Sequence, residues 1–143
     1  NFMIQWDCPG LQLDPWIVAV QRPDLLDRLA RMNAEIMGSK GNPYYDAPTV
    51  VLVFAPADSR NAVQDASCVL ENMMLAAHAL GLGSCWINRE IEMFRTSEGH
   101  DLMVRELGLP EGLTGVGAIS LGYPDGAASP CKPRKEGYVR IVR

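Results

Sequence analysis

The sequence predicts an α+β domain, a single sheet with helices packed around it. Three observations predict it. Short β-rich apolar runs recur along the chain, at "PWIVAV" (15–20), "TVVLVFA" (49–55), "SCWIN" (84–88) and "GVGAISLGYP" (115–124). Helical patterns lie among them without punctuating every strand, which sets the chain apart from a repeating βαβ architecture. Finally, 143 residues of which 48% are hydrophobic fit one domain, residues 1–143, with a core that needs no staple.

Taken in order, "NFMIQWDCPG" has neither a clear period nor a cap. "PWIVAV" reads as a strand. From Arg22 to Met37, Leu25, Leu26, Leu29, Met32 and Ile36 recur at helical spacing, with Pro23 and Asp24 as starters and Gly38 as the stop. "GSKGNPYYDAP" is loop. "TVVLVFA" is apolar nearly throughout, so both of its faces are expected to be covered. The pattern then predicts a helix over 65–80, with Ala66, Val69, Leu70, Met73, Met74, Ala76, Ala77 and Leu80 making a wide apolar surface. Such a helix must be buried on most sides, inside the domain or against a second subunit. Gly81 closes it as a left-handed cap, and Gly83 keeps the following turn free of a side chain. Residues 101–107 read as a short helix stopped by Gly108 and Pro110. "CKPRKEGYVRIVR" ends the chain with a basic cluster and a short strand.

Composition excludes several functions. A formal charge of −4 and a pI near 5.1 provide no basic face for nucleic acid. Asp, Arg, Gln or Glu interrupts every apolar run before it is long enough to span a bilayer, and no basic region followed by an apolar core marks a signal peptide. Cys8, Cys68, Cys85 and Cys131 form no CxxC, and His78 and His100 are the only histidines, so no zinc site is expected. Scattered cysteines of this kind suit buried free thiols in a reducing cytoplasm.

In order along the chain come "DAPTVVLVFA", "QDASCVLENMMLAAHALGLGSCWI", "LGYP" and "KPR". Each fragment is weak alone; as an ordered set, over about residues 9–143, they resemble the FMN-dependent nitroreductase family. The resemblance implies an α+β nitroreductase-like fold, with a central, mostly antiparallel sheet flanked by helices, and a homodimer with one FMN in each of two interface sites. It also implies reduction of nitroaromatics, quinones or similar acceptors by NAD(P)H. Family members carry an "RRSxR" segment and a helix ahead of this region, whose arginines and serine hold the FMN phosphate. These 143 residues show no such segment.

FMN needs charge for its phosphate, backbone donors near N5 and O4 of its ring, and an apolar wall. Lys132 and Arg134 can supply the charge, Arg134 with a planar fork and Lys132 as a point charge; a solvated basic tail is the alternative. The glycines at 81 and 83 let the backbone approach the ring, and Ser84, Cys85, Trp86, Ile87 and Asn88 can present amides. The resemblance sets Trp86, Ile87 and Asn88 beside the flavin, with many family members carrying glycine where this chain has Asn88. A helix cap followed by a buried strand is the alternative for that loop. Cys85 reads as a packed small side chain, since no basic partner is near it in sequence.

"CPGLQLDPW" resembles the family's "APSGxNxQPW", which marks Pro9, Gly10 and Gln12 as cofactor-binding candidates, Gln12 toward the flavin or its ribityl chain. Asp14 stands where the family has Gln and is a poor ligand beside a phosphate. His78 reads as a packed or interface histidine, Met73 and Met74 as core or dimer contacts, and Tyr44 and Tyr45 as loop residues with stacking on a substrate as the functional option. No side chain is needed as a catalytic acid or base. Two rivals to a flavin enzyme stay open: a flavin-binding remnant without turnover, and a non-flavin subunit that pairs through the apolar helix.

Overall fold

A computed structural model describes residues 15–126, 130–137 and 139–142. Its organising strand is the 49–55 run. This strand, β2 (Thr49–Pro56), pairs on one side with β1 (Trp16–Val20) and on the other with β4 (Leu113–Gly122), and β3 (Gly83–Ile87) completes the sheet beyond β4. All three pairings are antiparallel, in the order β1-β2-β4-β3. Side chains alternate across a strand, so β2 serves two cores. Val50, Leu52 and Phe54 face one layer, while Val53 and Ala55 face the other.

The first layer holds α1 (Pro23–Met37), α3 (Glu90–Met93), α4 (Ser97–Asp101) and a π-helical segment, Leu102–Glu106. Leu25, Leu29, Met32, Met93, Phe94, Leu102 and Met103 fill it, and Phe54 meets Phe94 edge-on with centroids 4.8 Å apart. The second layer is α2 (Ala62–Ala79), whose Ala62, Ala66 and Leu70 pack on Val53, Val116 and Ile119. A bulge between Val53 and Phe54 in the β2–β4 register puts Gly115 and Gly117 on opposite faces of β4. A Cβ at Gly115 would lie 2.8 Å from the Glu90 carbonyl oxygen, and one at Gly117 2.8 Å from Leu70. The bare backbone at these two positions is what lets α3 and α2 sit hard on the sheet.

The periodic elements stand where the sequence puts them, including the left-handed stops at Gly38 (φ 65) and Gly81 (φ 74). Several expectations are corrected. α2 begins at Ala62, three residues before the predicted start. The helix expected over 101–107 is a π-helical segment, Leu102–Glu106, continuing from the last residue of α4, and the sequence pattern does not predict the short helices α3 and α4 ahead of it. Residues 139–142 form no strand; Val139, Ile141 and Val142 are exposed, with no described neighbour to take up their backbone bonds. Cys68 and Cys131 are exposed rather than buried, and Cys85 is half-buried; all three are free thiols. Of the two covers expected for α2, the domain supplies one, and the other side, with Val63, Leu75, His78 and Leu80 exposed and Met73 and Met74 half-buried, is the side open to a second subunit.

Candidate functional site

The β3 strand is the hub of the site. Its register on β4 pairs Cys85 with Ser120, Trp86 with Ile119 and Ile87 with Ala118. Alternation sends Trp86 toward α2, and Cys85 and Ile87 toward the opposite core. The strand stops at Ile87. Asn88 and Arg89 are exposed, and Glu90 starts α3. Arg89 has φ 87, in the left-handed region. The glycine that the family resemblance sets at Asn88 thus has its conformational counterpart one residue later.

Beside this corner lies a cavity of about 330 Å³, lined by Asn33 and Met37 of α1, Asn42 and Tyr45 of the 38–48 loop, and the run from Trp86 to Arg89. Its size falls in the range of small-molecule sites. Met37, Trp86 and Ile87 provide apolar surface, Asn42 and Asn88 carry polar amides, and Arg89 brings a cation. A flat, partly polar ring fits that lining. A second, more open cavity of about 510 Å³ is lined by Pro48, Ser84, Cys85, Ser120 and Tyr123, and Tyr45 borders both. The predicted run 84–88 is therefore divided: Trp86, Ile87 and Asn88 reach the first cavity, Ser84 and Cys85 the second.

Tyr44 and Tyr45, adjacent in sequence, have opposite fates. Tyr45 is 71% exposed, whereas Tyr44 is buried at 2%. The turn is pinned by Ser120 Oγ donating to the Tyr44 carbonyl (2.9 Å) and by the Tyr44 N–H donating to Asn42 Oδ1 (2.9 Å). Tyr45 and Asp46 both take left-handed backbone (φ 59 and 54), strain that local packing must hold.

Beneath the first cavity lies a buried polar cluster. The Tyr44 hydroxyl donates to Glu90 Oε1 (2.9 Å), and Asn33 Nδ2 donates to Tyr44 Oη (3.3 Å) and to the Asn88 carbonyl (3.0 Å). Asn33 and Glu90 are fully buried, and Asn33 Oδ1 and Glu90 Oε2 have no protein partner. Burial pushes the Glu90 carboxyl up to about 7, against the partial relief of a backbone bond and the Tyr44 hydroxyl. Burial and the neighbouring Glu90 push the Tyr44 phenol up as well.

Sequence reasoning singled out neither Asn33 nor Glu90. For Asn33 a signal existed: it is the polar member of the apolar stripe Leu25, Leu29, Met32, Ile36. For Glu90 there was none, because nothing in "NREIEM" distinguishes a buried carboxylate from a solvated one. Lys132 and Arg134 are exposed on an irregular segment and line neither cavity. Pro9, Gly10, Gln12 and Asp14 lie outside the described residues.

Comparison with known proteins bears on this geometry. The model of the nitroreductase family matches residues 11–123. A nitroreductase from Bacteroides fragilis, whose crystal structure has bound FMN, superposes with a TM-score of 0.79 at 31% identity, over 90% of this chain and 76% of that one. An FMN-bound nitroreductase from Desulfitobacterium hafniense superposes at 0.73 with 20% identity over the same shares, and so speaks to the fold alone. A curated relative from Methanothermobacter thermautotrophicus, provisionally named an NADH dehydrogenase/NAD(P)H nitroreductase, is 27% identical over 115 residues, 77% of this chain and 56% of that protein. Another of that name from Archaeoglobus fulgidus is 39% identical over 62 residues, 43% of this chain and 33% of its own length. The chain thus spans about half or less of the curated relatives it matches.

Proposed function

Because the chain belongs to the nitroreductase family, we propose that it is an FMN-dependent oxidoreductase, with NAD(P)H as electron donor and nitroaromatics, quinones or similar compounds as acceptors. The observation that carries this reading is the cavity at the end of β3, where Trp86, Ile87 and Asn88 meet α1 and the 38–48 loop. FMN supplies the hydride chemistry when bound, and the protein binds and orients it. Trp86 and Ile87 act as apolar wall, the backbone amides of 86–88 as donors, and Lys132 and Arg134 as the phosphate's cations. No helix among the described residues is long and apolar enough to cross a membrane, and three free thiols suit a cytoplasmic setting.

An absorbance spectrum of the purified protein, with and without added FMN, tests the reading. A flavin spectrum that NADH or NADPH bleaches supports it. A flavin spectrum that neither bleaches points to a binding remnant, and a protein that takes up no FMN overturns the flavin reading altogether.

The uncovered side of α2, with Val63, Leu75 and Leu80 exposed, supports a homodimer that buries this helix. Light scattering at micromolar concentration should give about twice the chain mass of 15.7 kDa; a clean monomer argues against the shared flavin site.

A charge-assisted hydrogen bond contributes about 1.5–3 kcal/mol, so Arg134→Ala should weaken FMN binding roughly 10- to 150-fold, with partial recovery in Arg134→Lys. Riboflavin, which lacks the phosphate, should bind wild type and Arg134→Ala alike in a fluorescence titration. If FMN affinity does not change either, the basic cluster is only a solvated tail.

A further inference from the structure

We propose that Glu90, acting through Tyr44 and Asn33, is a positioning residue that sets the Asn88 peptide at the edge of the candidate flavin cavity. The inference rests on the flavin reading for its functional part and on the buried cluster for its structural part.

The chain of contacts is continuous. Glu90 Oε1 accepts from Tyr44 Oη, Tyr44 Oη accepts from Asn33 Nδ2, and the same amide donates to the Asn88 carbonyl. The Asn88 peptide needs such a hold. It ends β3 with its own side chain exposed, and the next residue, Arg89, takes left-handed backbone without being glycine. A strained corner of this kind persists only where its surroundings over-determine it. Here Asn33 grips the corner on one side, and α3, seated on the bare backbone of Gly115, begins at Glu90 on the other.

An isosteric amide at position 90 would keep the Tyr44 contact without burying an acid. Glu90 instead places a carboxyl with one unpartnered oxygen beneath a cavity, the kind of costly burial that gathers at functional sites. The titratable groups reaching it are Tyr44 from the 38–48 loop and Glu92 on its own helix; α1 presents Asn33 and β4 presents Gly115, neither of them charged. Burial brings its ionisation to about 7. An ionised Glu90 draws the Tyr44 hydroxyl more strongly, and Asn33, whose amide donates both to that hydroxyl and to the Asn88 carbonyl, is the next member of the chain to respond. The position of the Asn88 peptide then follows the protonation of Glu90.

The test uses the full chain in two measurements. In the flavin-free protein, the backbone amide resonances of Asn88 and Arg89 should shift with a midpoint near pH 7. The shift should vanish in Glu90→Gln, which keeps size and the Tyr44 contact, and should be lost at Asn88 in Asn33→Ala. A titration at Asn88 that persists in Glu90→Gln, or undiminished in Asn33→Ala, overturns the relay. In the second measurement, FMN should bind wild type about 3- to 10-fold more weakly above pH 7 than below it, the scale of one hydrogen bond, and Glu90→Gln should flatten that profile. Equal profiles for wild type and Glu90→Gln overturn the link to flavin. If the amides titrate as expected while FMN fails to bind at any pH, the relay stands and the flavin reading falls.

Discussion

Replacing Gly99 by alanine should leave little stably folded protein. A Cβ there would lie 2.0 Å from the Met93 carbonyl oxygen and 2.8 Å from Phe94 Cα. These are backbone atoms, so no rotamer change relieves the overlap. The carbonyl cannot swing aside either, because it accepts from the Thr96 hydroxyl (2.8 Å) and the Thr96 N–H (3.2 Å). Thr96 in turn caps α4 by accepting from the Gly99 N–H (3.0 Å). The only escape is to part α4 from α3, which carries Glu90 and is followed by Phe94 against Phe54. We expect a loss of about 4 kcal/mol or more, a large share of the roughly 5–15 kcal/mol that holds a domain folded. Gly41→Ala, where a Cβ meets nothing within 4 Å, is the control. Urea midpoints that agree among wild type, Gly41→Ala and Gly99→Ala would refute the close seating of α3 on α4.

That seating also explains what the sequence concealed. Where one element carries a full period of its own, as in α1, β2 and α2, the pattern of apolar residues placed it to within a few residues. The glycines at 38 and 81 marked the stops because a left-handed cap needs no tertiary partner. Residues 90–100 gave no comparable signal, and 101–107 gave only a short helix. Helices of four and five residues are shorter than the repeat that reveals a helix, and they exist because Gly99 lets α4 close on the end of α3 and Gly115 lets α3 sit on β4, a strand well further along the chain. Half of the candidate site was legible for the same reason. Trp86, Ile87 and Asn88 follow a glycine-broken helix end, and the family resemblance is what singles them out there. Asn33, Tyr44 and Glu90 come from three separate segments and acquire their meaning only when packed together. The terminal "YVRIVR" has the composition of a strand, but composition does not provide a neighbouring edge to bond with, and residues 139–142 form none.

Glu90→Gln should stabilise the protein at alkaline pH and change the pH dependence of folding in a definite direction. The carboxyl has an ordinary value of 4.5 and is raised to about 7 by burial in the folded state. The folded protein therefore holds this proton more tightly than the unfolded chain does. Below about pH 4.5 both states are protonated, and the contribution of the neutral acid is fully present. Between 4.5 and about 7 the unfolded chain releases the proton while the folded protein keeps it, so stability falls; above about 7 both have released it and the loss is complete. At 1.36 kcal/mol per pH unit, the shift corresponds to about 3 kcal/mol. Groups of the opposite sense act at the same time. Arg31 and Arg28 hold the Glu98 carboxyl below its ordinary value, which favours folding above that value and is lost in acid. The difference between wild type and Glu90→Gln removes such terms, since both proteins carry them. Unfolding free energies from urea titrations at pH 4.5, 6 and 8 should show the variant gaining about 3 kcal/mol on wild type across that range, nearly all of it below pH 7. A difference that stays constant from pH 4.5 to 8 would mean that the Glu90 carboxyl meets water in the folded protein, and the buried cluster beneath the cavity would have to be redrawn.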